Sequence, residues 1–285
     1  MPLHITGHTR IYMIVGDPVA QVRAPEVYNH LFARHGLDAV VVPVKVAADQ
    51  LIGFVRHSFA AQNLGGMWVT IPHKAAMQAM MDRCEPVASI AGAVNAVRRG
   101  EDGLLEGALF DGIGFVKGLD HAGIAYAGRR VLQVGAGGAG QAVAAALCAA
   151  GVGHLAIYNR SADRAAALVA RLAPHHGARV SQAASNDPAG YDLIVNCTSQ
   201  GLKPDDPMPV DVARIDPGAA VSDIIMTRQP TPLLVACAAR GIRAQAGFEM
   251  LVQQVPEYLR FMGQPALAEV VQADLSEVRG LLVPK

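Results

Sequence analysis

Two residues of this chain have the type and the setting to move a proton. Lys74 follows Val69-Thr70-Ile71-Pro72-His73, where a short apolar run ends and a helical pattern begins. Strand ends in open α/β sheets line ligand crevices, and an amine partly withdrawn from water there can serve as general acid or base. A solvated surface lysine has the same sequence context. Asp111 stands in Leu109-Phe110-Asp111-Gly112-Ile113-Gly114-Phe115, at the start of another helical pattern. As an aspartate it suits a helix N-cap. As a carboxylate beside Lys74 it would hold the ammonium and share its proton, and the two roles are compatible.

A second kind of chemistry is written in glycine. The run Val131-Leu132-Gln133-Val134 leads into Gly135-Ala136-Gly137-Gly138-Ala139-Gly140, and an Ala-rich helical pattern over 141–150 follows, stopped by Gly151. Strand, glycine turn and helix in this order form a dinucleotide site. Gly135 permits the tight turn, Gly137 lets the backbone approach a pyrophosphate, and Gly140 lets helix and strand pack closely. Gly138 and Ala139 complete the stretch that would meet the phosphates at the positive end of the helix. Glycine turns are common by themselves; the flanking elements carry the assignment.

The next strand, over 154–158, bears on the choice of nucleotide. An NAD site usually ends this strand with Asp or Glu, which bind the ribose hydroxyls. Here Asn159-Arg160-Ser161 stands instead. Arg160 can hold a 2′-phosphate through its planar fork, Asn159 and Ser161 add neutral groups, and Arg164 lies one helical turn on. The pattern favours NADP over NAD. Asp163 competes for a ribose contact but lies past the strand end, and a solvated arginine at a strand end is the plain alternative.

The elements that must position these residues alternate along the chain. Strands are expected at 11–15, 39–44, 66–70 and 93–98, with a short return over 103–107. Helices are expected at 24–34, 48–57, 75–81 and 87–91. The alternation restarts near Asp111: helices at 112–122, 162–172, 232–240, 247–262 and 265–279, and further strands at 193–196 and 220–225. This is an α/β chain of two domains, an open, mostly parallel substrate domain and a Rossmann NADP-binding domain. The expected boundaries are 1–110 for the first part of the substrate domain, 111–247 for the NADP domain, and 248–285 for helices returning to the substrate domain.

Composition narrows the functional classes. The 285 residues are 52% hydrophobic, enough for two cores. Lys plus Arg equals Asp plus Glu at 24 each, so no nucleic acid or anionic membrane partner is expected. No apolar run has the length of a membrane span. Met1-Pro2-Leu3-His4 lacks a basic-then-apolar signal layout, and a cytoplasmic protein is expected. Cys84, Cys148, Cys197 and Cys237 form no Cys-x-x-Cys pair, so neither zinc nor disulfides are expected. Cys148 and Cys197 read as small buried hydrophobes, and His175-His176 as surface residues in a loop.

Taken in order, the motifs resemble the shikimate dehydrogenase family over nearly the whole chain. They are Gly16-Asp17-Pro18-Val19, Val69 through Lys74, Gly92-Ala93-Val94-Asn95, Asp111-Gly112-Ile113-Gly114-Phe115 and the glycine turn. Asn159-Arg160-Ser161, Asn196-Cys197-Thr198-Ser199-Gln200-Gly201, Thr231-Pro232-Leu233-Leu234 and Met250-Leu251-Val252-Gln253-Gln254 complete the set. The resemblance implies NADP-linked oxidation of a cyclic secondary alcohol, with Lys74 and Asp111 as the catalytic pair. It implies Thr70, Asn95 and Gln254 as substrate contacts, Asn159, Arg160 and Ser161 as the ribose phosphate clamp, and Thr198 and Met250 near the nicotinamide. The expected partner is a small cyclic hydroxy acid or a related compound, and the chain is a monomer or a homodimer.

The chain departs from that family's pattern where a substrate carboxylate would bind. Where the family has His-Ser-x-Ser-Pro, this chain has Gln21-Val22-Arg23-Ala24-Pro25. Leu109-Phe110 replaces the usual Asn-Thr and narrows the polar part of the site, and Met226 replaces a Tyr. Matched hydrogen bonds lost from a site lower discrimination strongly. Weak use of shikimate is therefore expected, unless Arg23 grips the carboxylate in place of two serines. Two other readings stand beside this one. A non-catalytic NADP-binding ligand sensor on the same fold would have no need of both Lys74 and Asp111. A folate-linked or tRNA-linked reductase would not show these motifs in this order.

Overall fold

The computed structural model describes residues 5–203 and 205–283; Met1-Pro2-Leu3-His4 lies outside them. Packing divides the chain into two compact units, Met1–Phe110 with Val255–Lys285, and Asp111–Gln254.

The first unit carries β1 (Arg10–Gly16), α1 (Ala24–Arg34), β2 (Ala39–Lys45), α2 (Leu51–Ser58), β3 (Leu64–Val69), α3 (Lys74–Gln78), β4 (Arg83–Cys84), α4 (Pro86–Ala91), β5 (Ala96–Arg99) and β6 (Leu105–Ala108). Its sheet has the order β2-β1-β3-β5-β6-β4. β1 runs parallel to β2 and β3, whereas β5 is antiparallel to both β3 and β6, so the sheet is mixed. Three of its five pairings are parallel, and the antiparallel part is the short return expected over 103–107. Gly103 adopts φ +82°, its N–H donates to Gly100 O at 3.0 Å, and β6 must return beside β5. β3 is buried at every position, as a central strand covered on both faces must be. Trp68 on β3 stacks on Tyr258 at 5.5 Å and meets Tyr28 at 4.6 Å and Tyr12 at 5.4 Å, giving this unit an aromatic core.

The second unit carries α5 (Asp111–Ala122), β7 (Arg130–Val134), α6 (Gly138–Ala149), β8 (His154–Tyr158), α7 (Ala162–His176), β9 (Val180–Gln182), β10 (Leu193–Asn196), β11 (Ala220–Asp223), α8 (Pro232–Ala239) and β12 (Arg243–Gln245). All pairings of its sheet are parallel, in the order β12-β11-β10-β7-β8-β9. Strand order reverses between β7 and β10. In doubly wound sheets the ligand crevice opens at the carboxyl ends of the two strands that flank such a reversal. α9 (Phe248–Phe261) carries the chain from Gln254 to Val255, and α10 (Pro265–Ala273) and α11 (Ser276–Leu282) complete the first unit.

Three local expectations are corrected. Residues 265–279 form two helices, because the Asp274 carboxylate accepts the Ser276 N–H at 2.8 Å and starts a new one. α7 runs four residues past 172, through Pro174, to Gly177 at φ +60°, so His175 and His176 lie on a helix rather than in a loop. The ring of Pro174 removes only a last-turn bond to the exposed Ala170. α6 begins at Gly138 rather than 141, inside the glycine motif, where first-turn N–H groups need no helical partner.

Candidate active site

In the first unit, the carboxyl ends of β1 and β3 bring Thr70 against the loop after Gly16. Thr70 N–H donates to Val15 O at 2.9 Å, and a Cβ on Gly16 would stand 2.4 Å from Thr70 Cγ2. His73 N–H donates to Thr70 O at 3.0 Å, and the buried His73 ring bonds Val46 O through Nε2 at 2.8 Å. These bonds fix the turn that delivers Lys74, the half-buried first residue of α3. The Lys74 carbonyl accepts the Val94 N–H at 3.0 Å, which ties the lysine to the segment that carries Asn95.

Asn95 is 1% exposed and almost wholly committed. Its N–H donates to Ala108 O at 2.9 Å, and its carbonyl accepts Val69 N–H at 2.7 Å and Tyr258 Oη–H at 3.2 Å. Its Oδ1 accepts the Phe110 N–H at 2.9 Å, so the amide can face only one way. Nδ2 is left without a partner among the described residues. A buried donor left open is rare where it has no ligand to meet.

Arg23 is engaged within its own unit. Its Nε donates to Glu26 Oε2 at 2.7 Å and its Nη2 to Leu281 O at 2.8 Å. The guanidinium is neutralised on α1 and tied to α11. Val22 and Ala24, its half-buried neighbours, offer no side-chain donor. Leu109 and Phe110 are 1% and 3% exposed. The Phe110 ring meets Tyr258 edge-on at 5.0 Å and Phe261 at 5.6 Å, so both residues belong to the core rather than narrowing an open site.

In the second unit, Asp111 is 5% exposed in the first turn of α5, where the helix dipole favours a carboxylate. Two glycines let α5 approach its neighbours. A Cβ on Gly112 would stand 2.2 Å from Ala142 O of α6, and one on Gly114 would stand 2.3 Å from Met250 O of α9. This places the buried Met250 and Gln254 beside α5, and Gln254 Oε1 has no partner among the described residues.

The glycine turn separates into positions the chain needs and positions it does not. Gly135 has φ +110°, and a Cβ there would stand 2.6 Å from the Cys197 carbonyl. A Cβ on Gly140 would meet Gly135 O at 2.4 Å. Both must be glycine for the fold alone. Gly137 has an ordinary φ of −77°, and neither Gly137 nor Gly138 would meet any protein atom within 4 Å. The fold alone does not require glycine at these two positions, and the exposed N-terminal turn of α6 has room for a pyrophosphate there. Ala139, half-buried, follows in the same turn.

At the end of β8, Asn159 Oδ1 accepts the Ala136 N–H at 3.0 Å and its Nδ2 donates to Ser161 O at 3.0 Å. Both ends of this amide are used, so it joins the glycine turn to the 160–164 segment. Arg160, Ser161 and Arg164 are exposed, and neither arginine has an ion pair among the described residues. They fit a 2′-phosphate. Asp163 is exposed one residue into α7 and remains a neighbour of that place.

Thr198 is held by a buried polar chain that sequence reasoning did not single out. Asn196 Oδ1 accepts Thr198 Oγ1–H at 2.7 Å, and Asn196 Nδ2 donates to Asp223 Oδ1 at 3.0 Å. Thr231 Oγ1 donates to Asp223 Oδ2 at 2.6 Å and accepts the Leu234 N–H as the N-cap of α8. Burial pushes the Asp223 carboxyl above its ordinary range, against the pull of these donors. The signal was a polar residue closing an apolar strand run at both Asn196 and Asp223.

Burial pushes the Cys148 thiol up to about 12, and Cys197 is also buried and raised. Among the described residues, no three His, Cys, Asp or Glu groups are placed to hold a metal, and no helix is long and apolar enough to cross a membrane.

Comparisons with known proteins agree with this geometry. Residues 14–97 match the shikimate dehydrogenase substrate binding domain, and residues 120–202 match the shikimate / quinate 5-dehydrogenase family. Shikimate dehydrogenase (NADP(+)) of Acidiphilium cryptum is 38% identical over 277 residues, 95% of this chain and 99% of that one. The crystal structure of shikimate 5-dehydrogenase from Listeria monocytogenes in complex with shikimate and NAD aligns at a TM-score of 0.85 and 26% identity, over 95% of this chain and 99% of the other. The 5-ketofructose reductase of Gluconobacter sp. strain CHM43 aligns at 0.81 and 29% identity, over 93% and 98%.

Proposed function

This chain belongs to the shikimate dehydrogenase family of NAD(P)-dependent oxidoreductases, and from that premise we propose that it interconverts a cyclic secondary alcohol and its ketone with NADP, using shikimate weakly. The observation that carries the cofactor is the pairing of a glycine turn bare toward solvent at Gly137 and Gly138 with Arg160 and Arg164 at the end of β8. Bound there, NADP would supply the hydride acceptor, or the donor in reverse. The turn would hold its pyrophosphate and the arginines its 2′-phosphate, while Thr198 and Met250 would border the nicotinamide.

The chain's own residues do the rest. Lys74 Nζ is assigned the proton of the reacting hydroxyl, taking it in oxidation and returning it in reduction. The Asp111 carboxylate is assigned the partner role, holding that ammonium in orientation. Asn95 Nδ2 supplies a fixed donor to a second substrate oxygen, Thr70 Oγ1 another polar contact, and Gln254 Oε1 an acceptor for a substrate hydroxyl. A ligand sensor on the same fold would need the donors and the acceptor but not the lysine.

The choice of substrate turns on Arg23. With its Nε and Nη2 engaged by Glu26 and Leu281, and with Val22 and Ala24 beside it, the segment has fewer donors open to a carboxylate than two serines and a free arginine would give. This supports a second reading, an uncharged polyhydroxy ketone as the physiological substrate. The Gluconobacter relative is named for such a compound. NADPH oxidation on a panel of 3-dehydroshikimate, quinate-type acids and neutral cyclic or sugar ketones decides between the readings. Efficient turnover of 3-dehydroshikimate at low KM would overturn weak shikimate use. No turnover on any ketone, with NADPH still bound, would favour the sensor.

A further inference from the structure

The glycine turn rests on a side chain that no part of this mechanism uses. Gln133 lies in β7, 0% exposed, in a run that is otherwise aliphatic from Val131 to Val134. Its Nε2 donates to Gly135 O at 2.9 Å and to Gly140 O at 2.8 Å. Two acceptors on one nitrogen fix which end of the amide is which. One carbonyl belongs to the tight turn and the other to the first turn of α6, so a single NH2 group staples the turn to the helix that follows it. Gly140 leaves room for this, since a Cβ there would stand 3.2 Å from Gln133 Nε2.

We propose that Gln133 is a positioning residue for the dinucleotide, holding the N–H groups between Gly135 and Gly140 in the orientation that a pyrophosphate needs. The inference rests on the cofactor reading above. Gln133, wholly buried, would act through the two carbonyls. Its other end makes the argument sharper. Gln133 Oε1 is buried and has no partner among the described residues. An unpaired buried acceptor lowers stability, so the amide stands here with that loss set against the two bonds its Nε2 donates. A polar group retained at the expense of stability, directly beneath a ligand loop, marks a functional constraint. Asn159 holds the same turn from the outer side through the Ala136 N–H, so the loop is gripped by two amides from neighbouring strand ends.

The test compares the full-length parent with Q133M and Q133L. Binding of NADP+ and of NAD+ is titrated, thermal midpoints are measured, and NADPH kinetics are run. Both dinucleotides share the pyrophosphate, so each variant is expected to weaken both by the same factor, on the order of tenfold for a loop displaced by a fraction of an ångström. The loss falls on KM rather than kcat, and it persists at temperatures well below each variant's melting midpoint. Backbone amides over 135–141 exchange faster, while those of β8, β10 and β11 do not change. Affinities within twofold of the parent for both variants overturn the proposal. So does a loss confined to NADP+, which would be a 2′-phosphate effect. A loss of binding that vanishes at temperatures well below each variant's melting midpoint makes Gln133 a residue of the fold alone and overturns it too. Should Q133L fail to fold, the near-isosteric Q133M carries the test. If the parent itself binds neither dinucleotide, the cofactor reading fails first, and this inference falls with it.

Discussion

Lys74 and Arg160 were legible as types in a setting, and each makes a separable prediction. Lys74 is half-buried at the start of α3, and its carbonyl accepts the Val94 N–H, a backbone bond that any residue at this position would keep. Replacing it should therefore spare the fold and remove proton transfer. Lys74→Ala is expected to lower kcat about 100-fold or more, with NADP+ affinity unchanged in a direct titration. Turnover within a factor of a few of the parent removes Lys74 from the mechanism. Arg160 is exposed and free of ion pairs among the described residues, so its fork is available to an anion. Arg160→Ala should weaken NADPH on the order of tenfold to a hundredfold, the range of a hydrogen bond to a charged group, and leave NADH nearly unchanged. An equal loss for both cofactors would show that the arginine is not the phosphate clamp, and would return Asp163 to consideration. Asn159 Oδ1 and one of its two Nδ2–H donors are engaged by Ala136 and Ser161, which only coordinates reveal, and the other N–H keeps it eligible for the clamp. Gln133 was passed over because a lone polar residue in a strand run says nothing about where its amide points.

The elements that sequence periodicity marks well are those with a long repeat and clear stops. The helix expected at 24–34 is α1, and the strand expected at 154–158 is β8. β4, β9 and β12, of two or three residues each, carry too few positions to show a period, and they exist because neighbouring strands offer an edge. Long-range hydrogen bonding also explains the polar chain through Asn196, Asp223 and Thr231, which links the ends of β10 and β11 to the start of α8. That chain makes a pH prediction. The native Asp223 carboxyl is raised above its unfolded value, chiefly by burial. Between the two values the folded state binds more protons than the unfolded one, so stability falls as pH rises. Relative to Asp223→Asn, which does not titrate, the parent should be most stable below the ordinary aspartate range. It should lose ground as pH climbs through the raised value, then run level. Urea unfolding of both proteins at stepped pH checks this, and a relative stability that grows with pH would reverse the sign of the shift.

For the molecule as a whole, the substrate question divides between two units that sequence separated only by the restart of its topology near Asp111. The second unit keeps the turn, the arginines and Thr198, so NADP+ should act on it as a tight ligand. At a hundredfold over its dissociation constant, NADP+ should add about 2.7 kcal/mol of stability to the species that binds it, visible as a rise in melting temperature. The first unit keeps Thr70, Lys74 and Asn95 and loses the serines, so millimolar shikimate should give little or no rise. The last prediction restores what is missing. Val22→Ser with Ala24→Ser returns two hydroxyl donors to a loop already pinned beside Thr70, through the Asp17 N–H to Ile71 O at 2.9 Å. At about 1 kcal/mol per bond, the double variant should lower the KM for shikimate roughly thirtyfold. Arg23→Ala should change it less than twofold, because Glu26 and Leu281 already hold that side chain. The opposite pattern, a large loss in Arg23→Ala and no gain from the serines, would mean that the arginine leaves Glu26 to grip the carboxylate when substrate arrives. Shikimate would then be a natural ligand of this site, and the reading of an uncharged substrate would fail.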